Sequence, residues 1–333
     1  MIATEIAGQR RLVDGCGRRI DHLRVSVTPH CDLRCVYCRP AGEQVNTCSA
    51  NQLDDHQRLA FIRFMHERFG IVQVRVTGGE PLVHPGIVEF IAAIRDALPD
   101  LDVAMTTNGR RLKTFAQALR AAGLERLNIS LDSLEAETYL RITGGDLQAA
   151  LVGIEAAQDA GFPAPRVNAV VLRGLNNTEL PQLADWALAK GIELRFLEAM
   201  PIGGVAVANR RALVTAAEIR ATLRRHFTVA SVGDCFAGTA QRYQVSDGER
   251  SGHIGIIAPI TEPFCTGCRR VRLTADGRFF PCLLDSSYVD LRAAWPTGDR
   301  IHESTAAWIR SVVAAKKPEG PQRQAAAMMS LGG

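Results

Sequence analysis

No run of apolar residues in this chain approaches the roughly 18 that a membrane-crossing helix needs. The opening segment MIATEIAGQRRLVDG has no apolar core of the kind that directs secretion. Together these absences lead us to expect a cytoplasmic protein with no membrane partner. Basic residues are not concentrated either. The net charge is only +4, and the arginines fall in scattered pairs such as Arg18-Arg19 and Arg224-Arg225. That argues against a nucleic-acid-binding stripe, although a few arginines gathered in one cavity can still hold a triphosphate. No internal repeat beyond a strand–helix unit and no low-complexity segment interrupts the 333 residues. Their 47% apolar content is ordinary for a globular protein. The length suits one large domain with a smaller one appended.

What the chain does have is cysteine, nine in all. In a protein of this setting such a number speaks for metal or redox chemistry rather than disulfides. Cys31, Cys35 and Cys38 form a C-x3-C-x2-C run with Tyr37 just before the third cysteine. An iron–sulfur cube usually takes four thiolates, so three leave one iron open to a small molecule. The alternative is a structural zinc site, which requires four closed ligands. Cys265, Cys268 and Cys282 make a second set of three in FCTGCRRVRLTADG and FPCLL. Zinc completed by a distant histidine remains an alternative there too. Cys16, Cys48 and Cys235 read as ordinary thiols.

The first cysteine run and TGGEP at Thr77–Pro81 resemble the signature of the radical S-adenosylmethionine (SAM) superfamily. With the second cysteine set and the final Gly332-Gly333, the chain resembles the GTP 3′,8-cyclase family of molybdenum cofactor biosynthesis from about Leu23 onward. The resemblance implies two 4Fe–4S clusters, one binding SAM and one facing GTP, at opposite ends of a channel. It implies reductive cleavage of SAM, hydrogen abstraction from C3′ of GTP and closure of a bond to C8. It also implies a homodimer, a reductant and a downstream cyclic pyranopterin monophosphate synthase. Two other readings remain open: a radical SAM enzyme acting on another substrate such as a peptide, and a non-catalytic zinc or electron-carrier protein.

Strand-like runs at His22–Thr28, Ile71–Thr77, Leu101–Thr107, Glu125–Leu131, Arg166–Leu172 and Ile192–Glu198 alternate with helical patterns at Asp54–Phe69, Gly86–Leu98, Leu112–Ala122, Leu147–Ala160 and Glu179–Lys190. Such alternation implies parallel strands with right-handed crossovers. The expected fold is α/β, a partial (β/α)6 TIM-type barrel, with a doubly wound sheet possible from periodicity alone. The motifs support the barrel, because the cysteine loop, TGGEP, TTNG, SLDS and EAMP all follow strands and would share the C-terminal rim. After Val214 the rhythm shifts to one helix, Ala216–Phe227, then shorter strands and a turn at Asp276-Gly277. We therefore divide the chain into a barrel, 1–214, and a C-terminal region, 215–333, that closes the barrel mouth.

The resemblance assigns cluster ligation to the six cysteines and the SAM site to Tyr37, Gly79, Glu80, Ser130 and Met200. It assigns GTP contacts to Arg24, Arg75, Thr106, Arg166, Arg270 and Arg272, and a catalytic tail to Gly332 and Gly333. Guanidinium forks suit phosphate oxygens; salt bridges on barrel strands are the plainer reading. The chain departs from the family pattern in having Gln73 and Arg166 where lysine is usual. Arg269 stands in place of asparagine, and Ala327-Met328-Met329 replaces the usual tail run.

Overall fold

The computed structural model describes residues 11–40, 52–163, 165–233, 238–294, 301–302 and 304–319. Gly332, Gly333 and the 327–329 run lie outside the described residues, as do Cys48 and Cys235.

Six βα units run in order: β1 (His22–Ser26), α1 (Asp55–Phe69), β2 (Gln73–Thr77), α2 (Ile87–Ala97), β3 (Asp102–Thr107), α3 (Leu112–Ala121), β4 (Arg126–Ser130), α4 (Ala136–Thr143), α5 (Leu147–Asp159), β5 (Arg166–Val171), α6 (Leu180–Lys190) and β6 (Glu193–Glu198). Residue chemistry sets these bounds. Asp54 caps α1 through a reciprocal box with Gln57, and Gly70 ends it in the left-handed region at φ 67. On α2 the buried residues are Ile87, Phe90, Ile91 and Ile94, one face at helical spacing. β1 and β5 begin where expected; β2, β3 and β6 begin a residue or two later than their apolar pattern suggests, because Ile71, Leu101 and Ile192 are buried in the turns that lead into them.

β1 to β6 pair in parallel and in sequence order. The C-terminal region follows as α7 (Ala206–Arg211), α8 (Ala216–Arg224), β7 (Thr228–Ser231), β8 (Gln241–Ser246), β9 (Ser251–Ile257), β10 (Arg270–Leu273), β11 (Arg278–Phe280), β12 (Val289–Asp290) and α9 (Ser304–Ala314). This region extends both edges of the barrel sheet. β9 pairs with β6 and β10 pairs with β1, both parallel. Among the described residues eight parallel strands therefore form the wall, with antiparallel β11-β12 and β8-β7 beyond them. The Asp276-Gly277 turn joins β10 to β11, with Gly277 at φ 82. One apolar core runs through both parts, from Leu23 and Val76 to Val271, Phe279 and Ile309. Among the described residues no helix is long and apolar enough to cross a membrane.

Candidate active site: two cysteine sets and a basic interior

Strand alternation puts one residue in two on the inner wall. The register aligns Arg24 with Arg75 and Arg272, Thr106 with Asn128 and Arg166, and Ser130 with Asn168 and Arg195. Most of these side chains are polar, so the interior is hydrophilic rather than a packed apolar centre. Burial and then Arg272, Arg75 and Arg270 hold the Arg24 guanidinium well below its usual pKa. Burial and then Arg126, Arg195 and Arg166 bring Arg75 down to about 9. For Arg272, burial and then Arg270 bring it to about 10. Asn128 Oδ1, Asn168 Oδ1 and the Nε atoms of Arg166 and Arg242 are buried without a hydrogen-bond partner among the described residues. The crowded cations make this interior receptive to an anion, and the open amide oxygens to a hydrogen-bond donor beside it.

The first cysteine set lies beyond the C-terminal end of β1. Cys31, Cys35 and Cys38 line one cavity with Tyr37, Gly78, Gly79, Glu80, Thr106, Ser130 and Asp132. The Cys38 N–H donates to Cys35 O at 3.0 Å, and Leu33 N–H donates to Cys31 Sγ at 3.4 Å. Gly78 and Gly79 bring β2 against the loop that carries the cysteines. A Cβ on Gly79 would stand 2.2 Å from His30 O, and one on Gly78 2.6 Å from Thr28 O. The backbone admitted by these glycines is therefore the chain's own, fixed by Gly79 N–H to Thr28 O and Glu80 N–H to His30 O, each 2.7 Å. The Glu80 carboxylate accepts from Leu82 N, Thr107 Oγ1 and Asn108 N at 2.6–2.9 Å, tying β2 to β3. Burial nonetheless pushes its carboxyl up to about 7. Tyr37 donates its hydroxyl to buried Asp132 at 2.8 Å. Asn209 on α7 donates to the carbonyls of both Tyr37 and Met200 at 2.8 Å. That amide holds the Met200 segment to the cysteine loop.

The second set lies toward the other end of the wall. Arg270, the first residue of β10, registers with His22, the first of β1, and Cys268 precedes it by two residues. Because β11 runs antiparallel with Phe280 opposite Arg272, the chain returns Cys282 toward the same end. These cysteines lie at the end where the barrel strands begin. The full length of β1, about 13 Å at the usual rise per residue, separates it from the end at which the first loop leaves. Here Cys268 N–H donates to Cys265 O at 3.1 Å and Leu284 N–H to Cys282 Sγ at 3.4 Å, the same local pattern as in the first set. Burial pushes the Cys268 thiol up, but Arg270 and Lys316 outweigh it and bring it to about 6. Arg270 and Lys316 reach its sulfur at 3.6 and 3.4 Å.

The cysteines of both sets are free thiols. No disulfide joins any of the described cysteines. Among the described residues no three His, Cys, Asp or Glu side chains converge closely enough to hold one metal ion. In the first set, glycines, hydroxyls and a carboxylate complete the cavity in place of a fourth thiol.

Comparison with known proteins identifies the lineage. Residues 25–187 match the Radical SAM superfamily family model, and residues 192–321 match Molybdenum Cofactor Synthesis C. The GTP 3′,8-cyclase of Marinobacter nauticus is 40% identical over 286 residues, covering 85% of this chain and 85% of that protein. That of Paenarthrobacter nicotinovorans is 40% identical over 291 residues, covering 84% and 82%. The chain belongs to the GTP 3′,8-cyclase family. Membership brings with it SAM and an iron–sulfur cluster. Solved structures agree on the fold. Streptococcus suis SuiB bound to S-adenosylmethionine has a TM-score of 0.61 at 17% identity, covering 88% of this chain and 68% of that one. Native anSMEcpe with bound AdoMet gives 0.58 at 15% identity, covering 92% of each.

Gln73, Arg269 and Arg166 each have a local partner. Gln73 donates to Asp102 at 2.8 Å, beside Arg126, whose Nε reaches Asp102 at 3.1 Å. Arg269 pairs with Asp21, which is fully buried, and so braces the wall. Arg166 stands 3.7 Å from Glu193. Sequence reasoning missed Arg195, Arg126, Asp132, Asn209 and Lys316. Arg195 was within reach, since it sits on the inward parity of ELRFLE as Arg24 and Arg75 do on their strands. Lys316 had no local signal.

Proposed function

We propose that this chain converts GTP to 3′,8-cyclo-7,8-dihydro-GTP by radical SAM chemistry, the first step of molybdenum cofactor biosynthesis. The reading rests above all on one observation, the basic interior lying between two cysteine trios. Cys31, Cys35 and Cys38 would hold a 4Fe–4S cluster, which would supply the one-electron reduction that SAM cleavage needs. The chain's own residues hold and orient the reactants. Gly79, Glu80, Ser130 and Tyr37 line the SAM end; Asp132 holds the Tyr37 hydroxyl there, and Asn209 ties the Met200 segment to Tyr37. Arg24, Arg75, Arg166, Arg270 and Arg272 offer guanidinium forks to the triphosphate and base, with Thr106 between the two regions. Arg195 and Arg126 belong to the same cationic field.

The finer parts of the reading are a division at Val214, a second 4Fe–4S cluster on Cys265, Cys268 and Cys282, and a role for Gly332-Gly333 at the site. Kinship supports a homodimer, an external reductant and a following cyclic pyranopterin monophosphate synthase, in a cytoplasmic setting. Anaerobic turnover with SAM, reductant and GTP is the test. Wild-type protein should yield methionine, 5′-deoxyadenosine and a GTP isomer by mass spectrometry, while Cys35→Ala should yield none. A normal deoxyadenosine yield from Cys35→Ala would overturn the assignment.

A further inference from the structure

Lys316 belongs to no cysteine motif and to no barrel strand, yet its side chain ends in the second cysteine set. The residue is 4% exposed. Its Nζ donates to Arg270 O at 2.7 Å and to Cys268 Sγ at 3.4 Å. A buried ammonium needs compensating partners, and the fold supplies this one with a carbonyl and a thiol sulfur.

The lysine is held there by the other end of the chain. The turn between Leu12 and Ile20, closed by a Val13–Arg19 bridge, lies against residues 314–318. Arg18 donates to Lys317 O at 2.7 Å, Pro318 O at 3.1 Å and Cys265 O at 2.7 Å. Asp14 anchors that guanidinium at 2.6 Å. Gly15 packs so closely that a Cβ would meet Ala314 O at 2.4 Å. One buried arginine thus ties the Cys265 loop to the segment that delivers Lys316 to Cys268.

We propose that Lys316 is a positioning residue that tunes the second cluster, with Arg18 holding it in register. Cluster potentials follow net charge, hydrogen bonds to sulfur and burial. A cation donating to a ligand sulfur favours the reduced, more negative cluster and raises its reduction potential. The inference rests on the two-cluster reading of the proposed function.

The test uses the full chain with Cys31, Cys35 and Cys38 changed to Ser, so that the second set alone can bind iron. Anaerobic reconstitution, an iron count and potentiometric titration followed by electron paramagnetic resonance give three readouts. Lys316→Met should keep its iron and shift the midpoint potential negative; Lys316→Arg should recover most of that shift. Arg18→Met should shift it the same way by less. An unchanged midpoint in Lys316→Met at full iron content overturns the inference and leaves the second cluster intact. Loss of iron from both Lys316→Met and Lys316→Arg makes the residue a structural support and also overturns it. No iron in the parent Ser variant overturns the two-cluster reading, and the inference with it.

Discussion

At the residue scale, the informative groups are arginines buried among arginines. Arg24, Arg75 and Arg272 sit on aligned positions of neighbouring strands, and each is held below its ordinary pKa by burial and then by neighbouring arginines. Such crowding costs stability unless an anion relieves it. Arg272→Ala should therefore raise the KM for GTP about 10- to 100-fold, the range expected for losing a charge-assisted contact. Uncoupled SAM cleavage should persist. Steady-state kinetics with deoxyadenosine counted separately would check this, and an unchanged KM would remove Arg272 from the substrate site. Tyr37→Phe tests a different contact. Losing the 2.8 Å bond to Asp132 should cost about 1 kcal/mol of stability, measured by denaturant unfolding of the cluster-free protein.

At the element scale, loops are positioned by close backbone approach. The Gly79 site leaves 2.2 Å to His30 O, so Gly79→Ala must displace the loop that carries Cys31. Overpacking of this kind costs about 1–3 kcal/mol. The variant should bind less iron after reconstitution than wild type, whereas full iron with wild-type stability would show that the loop tolerates the side chain. Much at this scale was legible in the sequence. The alternation in HLRVS and QVRVT marks inward arginines, and the helical spacing of Ile87, Phe90, Ile91 and Ile94 marks α2. The short helix α4 was not foreseen, because it lies in the run between β4 and α5. The starts of β2, β3 and β6 were misplaced because Ile71, Leu101 and Ile192 are apolar for burial in turns, not for strand pairing.

At the scale of the whole molecule, the C-terminal region supplies both outer parallel strands of the wall. Six βα units were legible; that β9 and β10 would join β6 and β1 was not. Their partners lie far away in sequence, and no local pattern reports such pairing. Lys316 was hidden for the same reason, 48 residues from the sulfur it touches. A consequence follows for truncation. A fragment ending at Val214 would leave β1 and β6 as long unpaired edges and uncover Leu23, Val25 and Leu194, all buried in the intact chain. Exposed edges of this type aggregate, so the fragment should be insoluble or lack a cooperative melt. A soluble fragment with a sharp transition would contradict a single continuous core shared by both parts.

Anaerobic turnover with GTP deuterated at C3′ asks whether a radical made at the first cysteine set acts on GTP held in the basic interior. The expected product is 5′-deoxyadenosine carrying one deuterium, formed together with an isomer of GTP. Deoxyadenosine without deuterium, with GTP recovered unchanged, would contradict that chemistry.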